Sequence, residues 1–282
     1  MSNGVKHLVT GHSIATAVKK VAKAVTHGIL AGTRIAKLGI DMNDNPHGKS
    51  RLITWAWNLA LLCLLMMPIG VLAVRVGIPF AVGLAVFALS CFAALAVVLA
   101  MIAAYLMPRY HQHRTAAIKS ALPALLPALL ILTVLVSSIS YPPIHDITTN
   151  TDDPPLFDAA VAYRGAGTNP VDINPDAIAA QLESYTGLAS ITSPLSEAEA
   201  FARASAVAES MEWVIYNNDP RMGVIEASST SFWFGFVDDI VIRVRGDDTG
   251  SIIDLRSVSR VGVSDLGSNA KRIKIFIQRF AE

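Results

Sequence analysis

The sequence predicts an α-helical membrane anchor of three spans followed by an α+β domain, an antiparallel sheet covered by helices. Three observations carry this. Between Asp44 and Asp146 there is no acidic residue, and three long apolar runs lie in that gap. The two ends differ in charge: residues 1–51 hold eight Lys/Arg against two Asp, residues 141–282 eleven Lys/Arg against twenty Asp/Glu. Finally, Ile240–Arg245 and Ser251–Arg260 alternate apolar and polar side chains around Asp247-Asp248-Thr249-Gly250, as the two arms of a hairpin do.

Residues 1–51 form a basic amino-terminal segment. Within residues 5–40, Val18, Val21, Val25 and Ile29 recur at helical spacing beside a column of Lys19, Lys23 and His27. That pattern suits a helix lying on an anionic membrane face, or equally a basic tail that only fixes orientation. It is too polar for a cleavable signal peptide. Asn43–Ser50, with Pro46 and Gly48, reads as a loop.

Residues 52–140 are predicted to hold the spans. Leu52–Val74 is uncharged for 23 residues, with Trp55 and Trp57 where interfacial anchors belong. Pro68 is expected to kink it. A second span covers residues 80–106 and is rich in small residues, among them Gly83, Ala85, Ala88, Ser90, Ala93 and Ala94. Such residues let helices approach closely. Residues 108–120 read as a basic loop, and residues 122–140 as a shorter third span with Pro123 and Pro127 in its first turns. Asn58 is the one strongly polar side chain expected to be buried within the spans, and none of them contains an ionisable residue, which argues against a proton or ion pathway. Short-loop Lys/Arg lie in the amino-terminal segment and between spans two and three. The amino terminus is therefore expected in the cytoplasm and residues 141–282 outside it, in the periplasm of a bacterial inner membrane. Both cysteines, Cys63 and Cys91, fall within the spans, so the domain has no thiol for a disulfide, a zinc site or a nucleophile.

The domain opens with an extended strap, Tyr141–Thr149, that continues through Asp152-Asp153-Pro154-Pro155. Residues 158–195 mix short helical and loop signals without a clear period. Ser196-Glu197-Ala198-Glu199 is a capping box, so a helix should start there and run to about Met211. Trp213–Tyr216 reads as a strand and Asn217–Pro220 as a turn, and alternation of apolar and polar residues begins at Met222. In the hairpin, Arg243 should face Asp254, Val244 should face Ile253, and Ile242 should face Leu255. The aliphatic residues then share the core face. Arg243, Arg245, Arg256 and Arg260 share the other with Asp239 and Asp254. A last helix follows Gly267-Ser268-Asn269, with Ile273, Phe276, Ile277 and Phe280 as its apolar stripe.

Pro143–Thr149, Gly223–Ala227, Phe234–Arg245 and Arg256–Ala270 together resemble the bacterial and plastid family catalogued as domain of unknown function 1499. The resemblance runs from Tyr141 to the end of the chain. It implies a domain often attached to membrane spans and carries over no catalytic residue, because the family has none assigned.

His145 and Asp146 are neighbours in an extended strap and should point apart, so they are not expected to act as a base and its orienter. Asp238 and Asp239 diverge for the same reason, which disfavours a cation site with Glu226, and one of the two is expected to pair with Arg256. The four arginines are the candidate ligand-binding group, with Asp239 and Asp254, because guanidinium forks grip phosphate or carboxylate. They outnumber those two carboxylates, so spare positive charge is expected on an otherwise solvated face. Phe232-Trp233-Phe234-Gly235-Phe236 reads as core or as a wrap over the sheet edge. No nucleophile elbow, phosphate loop, zinc motif or dinucleotide fingerprint appears, so no catalytic residue, metal or cofactor is assigned. The acidic domain is a poor match for nucleic acid. The expected function is a non-catalytic envelope module, in contact with membrane lipid, that binds an anionic envelope ligand or another envelope protein. The alternative is a carboxylate-dependent envelope hydrolase.

Overall fold

The computed structural model describes residues 50–282; the amphipathic segment expected at residues 5–40 lies outside them. Three helices come first: α1 (Arg51–Arg75), α2 (Phe80–Leu106) and α3 (Arg114–Ser140). Each is long and apolar enough to cross a membrane. Gly70 and Gly83 let α1 and α2 meet backbone to backbone: a Cβ on Gly70 would lie 2.6 Å from the Gly83 carbonyl oxygen. On α3, Ser120 donates to the Ile53 carbonyl at 3.3 Å and closes the three-helix contact.

Three expectations about this part need correction. The third helix begins at Arg114, after a 3-10 turn at Pro108–His113, not at Leu122. Thr115–Ala121 are adequate helix formers, and the polar first turns fall outside an apolar window. Pro123 and Pro127 therefore sit inside the helix and not in its first turn. Asn58 is not buried: it is exposed on a groove of about 470 Å³ between α1 and α2, beside Trp55, Leu62 and Ala96.

The domain is a six-stranded, wholly antiparallel sheet. Its strands are β1 (Asp146–Thr148), β2 (Ile191–Ser193), β3 (Val214–Asp219), β4 (Val224–Thr230), β5 (Val237–Asp247) and β6 (Gly250–Ser259). The order is β1-β6-β5-β4-β3, and β2 shares the outer edge of β6 with β1. The β5–β6 register is the one the alternation predicts: Arg243 opposite Asp254, Val244 opposite Ile253, Ile242 opposite Leu255. The turn is tighter than the expected four-residue loop, since Asp247 and Gly250 are themselves partners. Asp247 Oδ1 accepts from the Thr249 amide and hydroxyl and stabilises that turn.

Helix α6 (Glu197–Ser210) starts at the predicted capping box, with both reciprocal bonds present between Ser196 and Glu199. Helix α7 (Ser268–Ala281) buries Ile273, Phe276 and Phe280. The two pack on the aliphatic face of the sheet, against Ile225, Ile240, Ile242, Val244, Ile253 and Leu255. The expected turn at Asn217–Pro220 is instead the end of β3. A bulge between Ile215 and Asn217 lets the strand run on to Asp219. Asp219 Oδ1 then accepts from the amides of Arg221 and Met222, which places the turn at Pro220–Gly223. Gly223 (φ 64°) ends that turn pressed on the Val244 carbonyl, where no side chain fits.

Residues 150–173 cover the opposite sheet face, and residues 174–190 wrap past the β1 edge, where Ala177, Ala180, Tyr185 and Leu188 join the aliphatic core. They hold two helices, α4 (Ala159–Ala162) and α5 (Pro175–Ser184), in mostly irregular chain. Asn174 caps α5 by accepting from the amides of Asp176 and Ala177. The Gln181 side chain meets the free end of β1 like a short strand: its oxygen accepts from the Thr148 amide at 2.9 Å and its nitrogen donates to the Thr148 carbonyl at 2.6 Å.

Candidate functional site

The polar face of β5 and β6 brings together all six predicted residues: Arg243, Arg245, Arg256, Arg260, Asp239 and Asp254. Alternation along the two strands does this. The face is not solvated, however. Asp239, Asp254 and Glu226 are fully buried and Arg256 is 1% exposed, because the irregular chain of residues 150–175 lies over them. Nor is any arginine of the group unpaired: each has a carboxylate partner, Arg243 and Arg245 sharing Asp254. Two of the carboxylates come from outside the hairpin, Asp146 and Asp153, and Arg164, also from outside, adds a fifth guanidinium on Asp239.

Three centres divide the face. At the end nearest α2, Asp239 accepts from Arg260 at 2.7 and 3.0 Å, from the Tyr216 hydroxyl at 2.9 Å, and from Arg164. Arg260 also donates to the Tyr163 carbonyl at 2.8 Å. The bonds to Asp239 push the Arg260 guanidinium above its ordinary range. Burial, then the Asp239 charge, pushes the Tyr216 hydroxyl far up, so it stays a donor.

In the middle, Arg256 pairs with Asp146 and not, as expected, with Asp238 or Asp239. Its Nε and Nη2 meet the two carboxylate oxygens at 3.0 and 2.7 Å. Its remaining donors reach the Pro155 and Val171 carbonyls at 3.3 and 2.8 Å, and the Phe157 ring lies 5.3 Å from the guanidinium. Arg256 thus nails the strap to the sheet. Beside it Glu226 accepts from the amides of Asp158, Ala159 and Ala160 at 3.2, 2.9 and 2.9 Å.

At the far end, Arg243 and Arg245 each place Nη2 2.7 Å from the same oxygen, Asp254 Oδ2. The other oxygen of Asp254 accepts from Ser190 at 2.5 Å and Asn150 at 3.4 Å. Burial alone would raise the Asp254 carboxyl, but the bonds from Ser190 and Arg243 and the charges of Arg243 and Arg245 outweigh it and hold it below its usual value. Both arginines also reach the Asp153 carboxylate, at 3.0 and 3.5 Å. Here the cover ends: the Arg245 side chain is 43% exposed and that of Asp153 64%.

The other candidates separate as the strand geometry requires. Asp238 turns to the helical face, where Arg272 donates to it at 2.6 Å, away from Asp239. His145 holds the fold through its backbone: its carbonyl accepts from the Ser259 amide at 2.9 Å and the Asn269 side chain at 3.0 Å. Among the described residues no three His, Cys, Asp or Glu side chains converge as a metal site would need. The carboxyl that burial raises is Asp265, which accepts from the amides of Gly267 and Asn269 at 2.8 Å each and so serves the start of α7. Asp146, Arg164 and Asp153 were missed as site residues. Asp146 was weighed only beside His145 and as part of the motif that carries the resemblance.

Residues 146–280 match the model of a family described as "Protein of unknown function (DUF1499)". No curated protein matches the chain.

Proposed function

We propose that this chain, whose residues 146–280 match that family's model, is a membrane-anchored, non-catalytic module of a bacterial cell envelope. It holds an anionic ligand at Arg243 and Arg245. One observation supports this above the others: two neighbouring guanidinium groups converge at the open end of the polar face, and the anion that completes their coordination there is an exposed carboxylate, Asp153. A phosphate or carboxylate on a lipid headgroup, a wall polymer or a partner protein offers the same chemistry in Asp153's place. Asp239, Asp254, Arg256 and Arg260 act behind it, holding the two strands and the strap in position. The buried carboxylates are saturated by cations and amides, which suits fixed acceptors better than the proton donor that a hydrolase needs.

The test uses the full chain in phosphatidylcholine nanodiscs, titrated calorimetrically with glycerol phosphate, and in parallel discs that also contain phosphatidylglycerol. A response to soluble glycerol phosphate supports a ligand from solution; one that needs the anionic disc supports a headgroup. Arg245→Ala should weaken binding about tenfold or more, the value of one charge-assisted bond. It should lower folding stability by only about 1 kcal/mol, because Arg243 and Ser190 still pair the buried Asp254. Asp153→Asn should strengthen binding. Heats identical in wild type and Arg245→Ala would end the proposal.

The proposed orientation is amino terminus in the cytoplasm and domain in the periplasm, from the distribution of Lys/Arg. A reporter active only outside the cytoplasm should be on when fused after Glu282 and off when placed at His113. The opposite pattern would reverse the topology.

A further inference from the structure

We infer that the β4–β5 loop, Ser231–Phe236, is seated in the lipid leaflet on the domain's side of the membrane and forms a second attachment of the domain, separate from the chain link at α3. The loop carries no charged side chain and four aromatic ones. Its backbone closes on itself: the Ser231 amide donates to the Phe236 carbonyl at 2.7 Å, the Gly235 amide to the Ser231 carbonyl at 3.1 Å, and the Phe236 amide to the Ser231 hydroxyl at 2.9 Å. Two further carbonyls, those of Phe232 and Trp233, are taken by Arg75 at the end of α1, the second at 2.9 Å. Backbone polar groups that enter a bilayer have to be satisfied within the protein.

The depth follows from what the loop touches. Phe236 meets Phe80, the first residue of α2, edge to face at 6.2 Å, and Phe234 meets Phe87 at 5.2 Å. Phe87 lies seven residues into the helix, about 10 Å along its axis. A loop that packs two turns down a spanning helix has passed the helix end and entered the zone its lipid-facing side chains occupy. At that level Phe232 is 81% and Trp233 60% exposed. In water two such neighbouring aromatics would leave a large apolar surface uncovered. In the leaflet they are covered by acyl chains, with the indole N–H free for the headgroup layer, the usual setting of membrane-interface tryptophans. A lipid occupant is favoured over a protein because the loop continues the outer surface of α2, a helix long and apolar enough to cross a membrane, with Leu84, Leu89 and Phe92 exposed.

The experiment reads Trp233 in the full chain reconstituted in liposomes. Trp55 and Trp57 are changed to Phe, which leaves Trp233 and Trp213, the latter in the domain core. With acyl chains brominated near the headgroup, emission should fall, and iodide in the aqueous phase should quench little. The quenched component should be gone in the further variant Trp233→Phe, which leaves only the shielded Trp213. Quenching by iodide with no loss in brominated lipid would place the loop in water and overturn the inference. Protection of Trp233 from both quenchers would assign the surface to protein and overturn it equally.

Discussion

Asp239→Ala is expected to cost the domain about 3–5 kcal/mol, the usual penalty for removing one partner of a buried ion pair. Two guanidinium groups converge on this carboxylate, with side chains only 5% and 18% exposed. Without it, Arg164 and Arg260 face each other across a cavity and the Tyr216 hydroxyl loses its acceptor. In a domain of this size the melting temperature should fall by on the order of 10 °C or more. Asp239→Asn keeps the volume and one acceptor oxygen, so its loss should be smaller. Thermal unfolding of the full chain in detergent, followed by near-ultraviolet circular dichroism, gives the answer. A midpoint for the alanine variant within a degree or so of wild type would mean that the buried centre contributes nothing to the fold.

Glu226→Ala should be nearly as damaging for a different reason. Its carboxylate is anchored by three consecutive amides, with the Asn217 side chain at 3.4 Å. Removing it leaves three N–H groups at the start of α4 without their acceptor, the buried one of Ala160 worth about 1–3 kcal/mol when orphaned. Loss of about 3 kcal/mol is expected, together with faster hydrogen exchange at Ala159 and Ala160. Glu226→Gln retains one carbonyl oxygen and should protect these amides partly. Unchanged protection in the alanine variant would show that α4 is held from elsewhere.

The parts of the domain that were legible from sequence are those whose pattern is local. The β5–β6 register follows from strict alternation on both arms, because a one-residue slip would turn Ile242, Val244, Ile253 and Leu255 away from the core. The capping box at Ser196 and the stripe of α7 have fixed spacings of the same kind. The cover over the polar face has none. It is held by guanidinium groups bonded to backbone carbonyls, as Arg256 is to Pro155 and Val171, and a carbonyl leaves no trace in residue identity. Asp146 lies 110 residues from Arg256, and Arg164 75 from Asp239, so no window along the chain contains either pair. The same holds for the aromatic loop. Phe232–Phe236 has the composition of a core segment, and only its contact with α2 sets it apart.

The antiparallel strand β5 has a consequence for reach. It starts at Val237, directly after the aromatic loop, and Arg245 stands eight residues further along it. At about 3.3 Å per residue the strand separates the two by up to about 26 Å. If the loop marks the lipid surface, the exposed arginine end is a stand-off, carried away from the bilayer on a rigid spar with hydrogen bonds along both edges. Headgroups of the same leaflet are then hard to reach, and the spar favours an anion that approaches from the aqueous side.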